Sequence, residues 1–400
     1  MRQPTVRRPV LPLLKTPPLR KAERRPRTRL PSKGILHIET AEQVGTLVFG
    51  PVLFAFMAWL MRHPAVPYLD RLYFASREGW MMERLYTAMR EQAGLHDKTG
   101  ITALPPATYL PCSRRAALGA QFGAASARGE TPDFSLLTSS SRWFEGSVEA
   151  LLHARIGFVP ARPPALQARS IALMRDAAIV QCVADLLTDE IVPHVRRAHM
   201  GFMAYAGQCG LLDAGRAGLV DVGYSATMQS AIQNILGLGL TGFYMATTDA
   251  AGKVGDAAGY AFAAFAEGAE ADGFSAVFGL LLEAVLTAPH GQVTGYDAPK
   301  RRRKRRSEPV CEPLFATGGT AQHGFAVIER IHSGITGYCL NRLATEGLQP
   351  EKDPFLLLRK LSQGSVTLAA SIRQVLCVED AFCGNGEIDV LGRIAAGHQS

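Results

Sequence analysis

Short apolar runs along this chain alternate with longer stretches in which apolar residues recur every three or four positions. The first pattern is typical of buried strands and the second of amphipathic helices. Residues 71–75, 107–110, 217–222 and 242–247 predict strands, and helical spacing follows each of the first three. We therefore predict an α/β fold with a mostly parallel, open, Rossmann-like sheet that is flanked by helices.

An uncharged stretch at residues 44–61 raises the question of a membrane span, because eighteen such residues are about the usual length for one. Gly50 and Pro51 interrupt this stretch, and Arg62 ends it. A helix at the centre of a large core is also apolar on all sides. We therefore predict a core helix, as part of a helix over residues 35–61.

Changes in composition divide the chain into four parts. Residues 1–33 are rich in Arg and Pro and predict a disordered basic arm. Residues 34–297 predict the α/β domain, with a helical insertion near 127–205. Residues 298–310 contain a run of Lys and Arg and predict a basic loop, and residues 311–400 predict a helical C-terminal region.

The formal net charge of +8 comes from the two basic segments. Residues 1–34 carry eleven Lys or Arg and one Glu, and residues 300–306 are all basic. Subtracting their +10 and +7 leaves −9 for the rest of the chain. An acidic body is a poor surface for nucleic acid, so we expect no nucleic-acid partner. The basic segments are candidates for peripheral contact with an anionic membrane.

The cysteines indicate a reducing compartment. There are seven, an odd number, with no Cys-x-x-Cys pair, which argues against a disulfide framework or a zinc site. The N-terminus also lacks the apolar segment of a secretory signal, so we predict a cytoplasmic protein. Cys112 lies beside an arginine pair, and we interpret it as a small buried side chain rather than a reactive thiolate.

Polar side chains follow three of the predicted strands at the point where each strand ends. Arg77 and Glu78 follow the first strand, Ser113 and Arg114 follow the second, and Asp221 ends the third. The carboxyl ends of parallel strands line one ligand crevice, so we expect these side chains to lie close together. The third turn and its helix add further candidates for ligand binding: Gly223, Tyr224, Ser225, Thr227 and Gln229.

The chemistry of these side chains suits a small phosphorylated ligand. Arg77 and Arg114 each present a planar fork of donors that matches phosphate. Ser113 is placed to cap its helix, which leaves backbone N–H groups for an anion. Glu78 is a candidate base or hydroxyl acceptor. Asp221 is a candidate catalytic group and metal ligand, with Mg²⁺ as the candidate cofactor.

In the third turn, hydroxyl and backbone N–H groups are arranged as in many phosphate-binding loops. Ser225 and Thr227 offer hydroxyls, and Gln229 offers an amide from the first helical turn. Two known motifs come close to this turn. A HAD phosphatase has a second aspartate at the position of Gly223, and a phosphoribosyltransferase has a second acid at the position of Val222.

Four segments in this order resemble HAD-hydrolase-like proteins of bacterial surface-polysaccharide gene clusters. The resemblance covers roughly residues 40–300, and the segments that carry it are VFGPVLFAFMAWL, LYFASREGWMMERLY, YLPCSRRAAL and LVDVGYSATMQ. The chain resembles only the downstream part of such proteins, because its first seventy residues show no HAD aspartate motif. Ala226 stands where the family tends to have Gly.

The resemblance implies a protein that binds or processes a phosphorylated sugar or nucleotide-sugar in surface-polysaccharide biosynthesis. It implies a HAD-like hydrolase or a transferase, with Asp221 and Glu78 as catalytic candidates. Two alternatives stay open. One is a non-catalytic scaffold that contacts a glycosyltransferase or an anionic membrane through the basic segments. The other is a phosphoribosyltransferase-like enzyme.

Overall fold

The computed structural model describes residues 35–95, 104–139, 144–161, 168–248, 250–261, 274–297 and 311–397. The predicted basic arm at residues 1–33 and the predicted basic loop at residues 298–310 lie outside these described residues. Within them, apolar side chains pack into clusters around one central sheet.

Strands within the described residues are mostly short, and only some of them join the central sheet. They are β1 Leu36–Ile38, β2 Arg71–Ala75, β3 Ala107–Leu110, β4 Glu145–Ser147, β5 Ser170–Ala172, β6 Ala217–Asp221, β7 Leu240–Tyr244, β8 Ala257–Gly259, β9 Val293–Tyr296, β10 Pro313–Phe315, β11 Val366–Leu368, β12 Cys377–Glu379 and β13 Glu387–Asp389.

Helices provide the packing layers around these strands. They are α1 Ala41–Val44, α2 Gly50–Arg62, α3 Gly79–Leu95, α4 Arg114–Ala127, α5 Leu136–Ser139, α6 Val148–Ile156, α7 Leu173–Leu186, α8 Thr188–Gln208, α9 Thr227–Leu236, α10 Phe274–Leu286, α11 Thr320–His323, α12 Phe325–Glu346, α13 Leu356–Ser362, α14 Ala370–Arg373 and α15 Val390–Gly397.

The central sheet has five strands in the order β3-β2-β6-β7-β8, and all neighbours are parallel. The predicted α/β class with a parallel sheet is therefore confirmed. Counted along the chain, this order is 2-1-3-4-5, which is one of the common orders of doubly wound sheets. The chain leaves β2 toward one edge and later returns to β6 on the other side. The topological switch point thus lies between β2 and β6.

The apolar stretch near the N-terminus forms a nearly continuous helix in the core. A π-helical turn, Gly45–Phe49, joins α1 to α2, and together they cover Ala41–Arg62. This helix is long and apolar enough to cross a membrane, but 83% of the 18-residue window that meets this criterion is buried inside the protein. It packs against α12, which explains why it is apolar on all sides.

One boundary of this helix was predicted wrongly. Residues 35–61 were expected to be helical, whereas Leu36–Ile38 form a strand that pairs in parallel with Val366–Leu368. The helix begins only after Thr40, whose hydroxyl accepts a hydrogen bond from the backbone N–H of Gln43. The Gln43 side chain in turn accepts from the Thr40 backbone N–H, and this capping box fixes the start of the helix.

The C-terminal region combines helices with short strands. Its strands include β12 and β13, which pair antiparallel around a loop at residues 380–386. We call residues 377–389 the C-terminal hairpin. Apolar side chains of α12 and of the hairpin belong to the same buried cluster as those of α2 and β2. The region therefore shares one buried core with the central sheet.

Candidate functional site

A cavity of about 570 Å³ lies at the carboxyl ends of β2, β3 and β6. Side chains from the turns that follow all three strands line it, together with residues of α10 and of the C-terminal hairpin. The cavity therefore lies beside the switch point between β2 and β6, where ligands bind in open α/β sheets. Its volume falls within the usual range for small-molecule sites.

The turn after β2 is held in an unusual backbone conformation. Ser76 has a φ of +64°, which costs a non-glycine residue energy. Gly79 starts α3 so close to the strand that an added Cβ would lie 2.5 Å from the carbonyl carbon of Phe74. Glycine at this position lets the helix begin immediately after the strand. Arg77 and Glu78 are thereby brought to the edge of the cavity.

The turn after β3 is anchored by its serine. Ser113 Oγ donates a hydrogen bond to the carbonyl oxygen of Val293 at 2.6 Å and accepts one from the N–H of Ala116 at 3.1 Å. It therefore caps α4, as predicted, and also lines the cavity. Cys112 before it is buried, and burial raises the pKa of its thiol to about 12. The interpretation of Cys112 as a small buried side chain is confirmed.

The turn after β6 also carries backbone strain. Gly223 has a φ of +123°, and an added Cβ would lie 2.5 Å from the carbonyl oxygen of Ala246. Ala226 has a φ of +54° and precedes α9 without any side-chain cap. The first N–H groups of α9 therefore have no capping side chain at the end where Thr227 lines the cavity. Such groups favour a bound anion.

Both predicted phosphate-binding arginines line the cavity, and each forms an ion pair with the C-terminal hairpin. Arg77 Nη1 lies 3.0 Å from Glu379 Oε2, and its Nη2 donates to the Glu379 carbonyl oxygen at 3.2 Å. Arg114 Nη2 lies 3.4 Å from Asp380 Oδ1. The Arg114 guanidinium also stacks on the Phe382 ring at 4.6 Å. We call these two contacts the arginine pairs.

Three further carboxyl groups line the cavity, and we call Glu78, Asp221 and Glu283 the carboxyl cluster. Burial raises the pKa of Glu78, and burial together with Glu78 raises the pKa of Asp221 well above its usual range. Burial and Glu78 also raise the pKa of Glu283 to about 7. Burial therefore disfavours ionisation of all three acids, and Glu78 adds to this effect at Asp221 and at Glu283.

Hydrogen-bond donors to this cluster are scarce. Asp221 Oδ1 accepts from the backbone N–H of Val222 at 2.8 Å. Glu78 is only 7% exposed, and its own backbone N–H provides its stabilising hydrogen bond. Within the described ranges, no other residue donates a hydrogen bond to the carboxyl group of Glu78 or of Glu283.

Nearly all the residues predicted for the site line this one cavity. They are Arg77, Glu78, Ser113, Arg114, Asp221, Gly223, Tyr224, Ser225 and Thr227. Ser225 Oγ also shares a hydrogen bond of 3.1 Å with the hydroxyl of Thr248.

Gln229, which was predicted as a ligand-binding residue, is the exception. Its side chain is fully buried and does not line the cavity. The amide nitrogen donates to the carbonyl oxygens of Leu240 and Asp256, and the amide oxygen accepts from the hydroxyl of Tyr244. Gln229 therefore fastens α9 to β7 and to the chain before β8. A buried amide needs such partners, which leaves none of its groups for a ligand.

The predicted metal role of Asp221 finds no ready set of ligands. Among the residues that the structure describes, no group of three or more His, Cys, Asp or Glu side chains is placed to hold a metal ion. A Mg²⁺ ion at Asp221 would therefore need most of its oxygen ligands from a bound substrate and from water.

Sequence reasoning missed three acidic residues of the site: Glu283, Glu379 and Asp380. A signal for Glu283 does exist, because it is the one charged residue in the apolar helix Phe274–Leu286. A lone acid in such a helix is seldom buried without a reason. Glu379 and Asp380 lie in a polar stretch that looks like an ordinary surface loop.

Comparison with known proteins adds no family to this description. No protein-family model matches the chain, and no curated protein matches it significantly. The resemblance to HAD-hydrolase-like proteins therefore still depends on the four segments quoted above.

Proposed function

We propose that this protein binds a phosphorylated sugar or nucleotide-sugar in the cavity, at the switch point of a Rossmann-like sheet. The observation that carries the proposal is the convergence of three strand-end turns on one cavity with two arginines and three carboxyl groups. Distant parts of the chain contribute these groups, and their meeting at the switch point matches the position of ligands in such sheets.

The phosphate belongs on the side of the cavity that offers positive charge. Arg77 and Arg114 supply guanidinium groups, which bind phosphate oxygens through paired hydrogen bonds. The uncapped start of α9 supplies backbone N–H groups, and Ser225 and Thr227 add hydroxyls. A phosphate bound here competes with Glu379 and Asp380 for the arginines, because these carboxylates occupy the guanidinium groups in the structure.

The sugar belongs on the side of the carboxyl cluster. Carboxylate oxygens accept hydrogen bonds from hydroxyls, and protonated carboxyl groups also donate them. Because the pKa values of these three acids are raised, the cluster is less negative than −3 near neutral pH. Its repulsion of a phosphate is therefore weaker. Glu78 and Asp221 are also candidates for proton transfer, because burial raises the pKa of each carboxyl group.

The resemblance to HAD-hydrolase-like proteins of surface-polysaccharide gene clusters supports the choice of ligand. Sugar phosphates and nucleotide-sugars are the substrates of surface-polysaccharide biosynthesis. Processing of the ligand, by hydrolysis or by group transfer, is the part of the proposal that depends most on this resemblance. Binding depends on the cavity alone.

Calorimetry tests the proposal directly. Hexose 1-phosphate, hexose 6-phosphate and a nucleotide-sugar are titrated into the full-length protein, with and without Mg²⁺. We expect saturable binding of at least one of them, and weaker binding by Asp221→Ala. Glu130→Ala is the matched control, because Glu130 is an exposed acid outside the cavity. An absence of heat with the wild type for all three ligands would overturn the proposal.

A further inference from the structure

We propose that the sugar bound in this cavity carries an amino group, and that Glu78, Asp221 and Glu283 recognise it as an ammonium ion. This inference rests on the proposed function and adds the chemical class of the sugar. It follows from the charge balance of the cavity, the burial of Glu78 and the arrangement of the carboxyl cluster.

The charge balance of the cavity is strongly uneven. Arg77 and Arg114 are the basic side chains that line it within the described part of the chain, and each is already paired with a hairpin carboxylate. Those pairs leave the three acids of the carboxyl cluster without an equal positive charge. Buried acids are normally paired with a cation, so the residues that line the cavity are short of positive charge.

Glu78 is short of hydrogen-bond donors as well as of positive charge. It is 93% buried, because only 7% of its surface is exposed, and it lines the cavity. Its carboxyl group receives its own backbone N–H as a donor and no other within the described residues. A buried carboxylate accepts several hydrogen bonds when it is fully satisfied. The missing donors must come from whatever fills the cavity.

An ammonium group fits this shortage better than the alternatives. It supplies three donors and one positive charge, whereas a hydroxyl supplies one donor and no charge. Among the described residues, no group of three or more His, Cys, Asp or Glu side chains is placed to hold a metal ion, whereas one or two carboxylates are enough to bind an ammonium ion. Arg77 and Arg114 lower the pKa of Glu78 and of Glu283, but each is also paired with a hairpin carboxylate, and neither donates a hydrogen bond to the cluster in the described part of the chain.

Binding of an ammonium ion also changes the protonation of the carboxyl cluster. Charged groups from two turns and from the hairpin act on Glu283: Glu78 and Asp380 raise its pKa, and Arg114 and Arg77 lower it. Glu283 in turn raises the pKa of Asp221 and of Tyr224. The acids therefore disfavour ionisation of Glu283. An ammonium ion would reverse that balance, so that binding expels protons from the cluster.

The experiment compares three ligands that differ at one position. Glucosamine 6-phosphate, glucose 6-phosphate and N-acetylglucosamine 6-phosphate are titrated at pH 7 into the full-length protein, and the 1-phosphates are tested in the same way. We expect the amino sugar to bind about ten-fold tighter than the other two, because a hydrogen-bonded charge pair is stronger than a neutral contact. Titrations in buffers of different ionisation enthalpy should show proton release with the amino sugar.

Variants tie the preference to the cluster. Glu283→Gln keeps the shape and removes the charge, and Glu78→Gln does the same from another element. Each should reduce the preference for the amino sugar to about three-fold or less, whereas the exposed Glu130→Gln should keep it in full. Measuring both cluster variants keeps the test decisive if one of them fails to fold.

The outcomes separate this inference from the proposed function. Equal binding of glucose 6-phosphate and glucosamine 6-phosphate overturns the inference and leaves the proposed function standing. An unchanged preference in both Glu283→Gln and Glu78→Gln also overturns it. If none of the phosphosugars binds, the proposed function is overturned and the inference falls with it.

Discussion

The arginine pairs and the carboxyl cluster line the same cavity, but the protein treats them in opposite ways. Arg77 and Arg114 are matched by Glu379 and Asp380 of the C-terminal hairpin. The acids of the carboxyl cluster receive few donors and show raised pKa values instead. Carboxylates of the protein thus neutralise the two arginines. The acids of the carboxyl cluster, in contrast, can take up protons or bind a ligand.

This difference indicates what the arginine pairs and the carboxyl cluster would each contribute to ligand binding. A phosphate gains little charge energy at the arginines, because it replaces carboxylates that are already there. A donor group gains more at the cluster, because nothing in the described chain is displaced. We expect the arginines to select for the phosphate and the cluster to select for a donor group on the sugar.

The strongest test of the comparison is the effect of pH on stability. The pKa of Glu283 is raised to about 7, against 4.5 for a free carboxyl group. Between these values the folded state keeps a proton that the unfolded state has lost, so stability falls as pH rises through this window. The loss is at most about 3 kcal/mol. The contribution of Glu283 is lost as the pH rises through about 7.

Glu283→Gln should therefore make the free energy of unfolding less dependent on pH between 5 and 8. Urea unfolding at several pH values measures this slope. Some slope should persist, because Glu78 and Asp221 also have raised pKa values. Glu130→Gln serves as the control on an exposed acid. A variant slope equal to that of the wild type would show that Glu283 titrates normally.

On the side of the arginine pairs, the largest expected effect is that of Arg77→Ala. This change removes two hydrogen-bond donors from the proposed phosphate site, which we expect to weaken phosphosugar binding about 10- to 100-fold. Arg128→Ala is matched in charge, because Arg128 pairs with Glu130 away from the cavity. Calorimetry with hexose phosphates compares the two. Equal affinities in both variants would place the phosphate elsewhere.

The same two regions differ in how far the sequence predicts them. Arg77, Ser113 and Asp221 follow strands whose apolar runs are visible locally, and the rule for parallel sheets then brings their side chains together. The partners of the arginines are different. Glu379 is 302 residues away from Arg77 along the chain, and no local pattern marks the contact between them.

Two other differences between prediction and structure also arise from contacts between separate elements. Leu36–Ile38 become a strand only because Val366–Leu368 provide a parallel partner, which overrides the helical expectation at that point. Gln229 lies in the first turn of its helix as predicted, but its direction is decided by carbonyl groups of Leu240 and Asp256. Position within an element is a local property, whereas the partner of a polar side chain depends on the whole fold.

A smaller effect is expected at the hairpin carboxylate. Glu379→Gln weakens the competitor for Arg77, so phosphosugar affinity should rise several-fold. The gain is limited to about 1 kcal/mol because the ion pair is partly exposed. Added salt should narrow the difference between variant and wild type. Glu130→Gln, which frees Arg128 outside the cavity, should leave the affinity unchanged. A fall in affinity for Glu379→Gln would mean that the hairpin positions Arg77 rather than competing for it.

The smallest effect concerns the turn that carries Asp221 into the carboxyl cluster. Ala226 has a φ of +54°, so Ala226→Gly relieves about 1 to 2 kcal/mol of backbone strain. The change also removes a buried methyl group, worth about 0.8 kcal/mol, and adds freedom to the unfolded chain. These terms nearly cancel, so the free energy of unfolding should change by less than about 0.5 kcal/mol. Ala226→Val, which places a β-branched residue at the same φ, should cost several times more. Urea unfolding of both variants measures the contrast, and equal stabilities would mean that the turn relaxes and does not hold Asp221 rigidly.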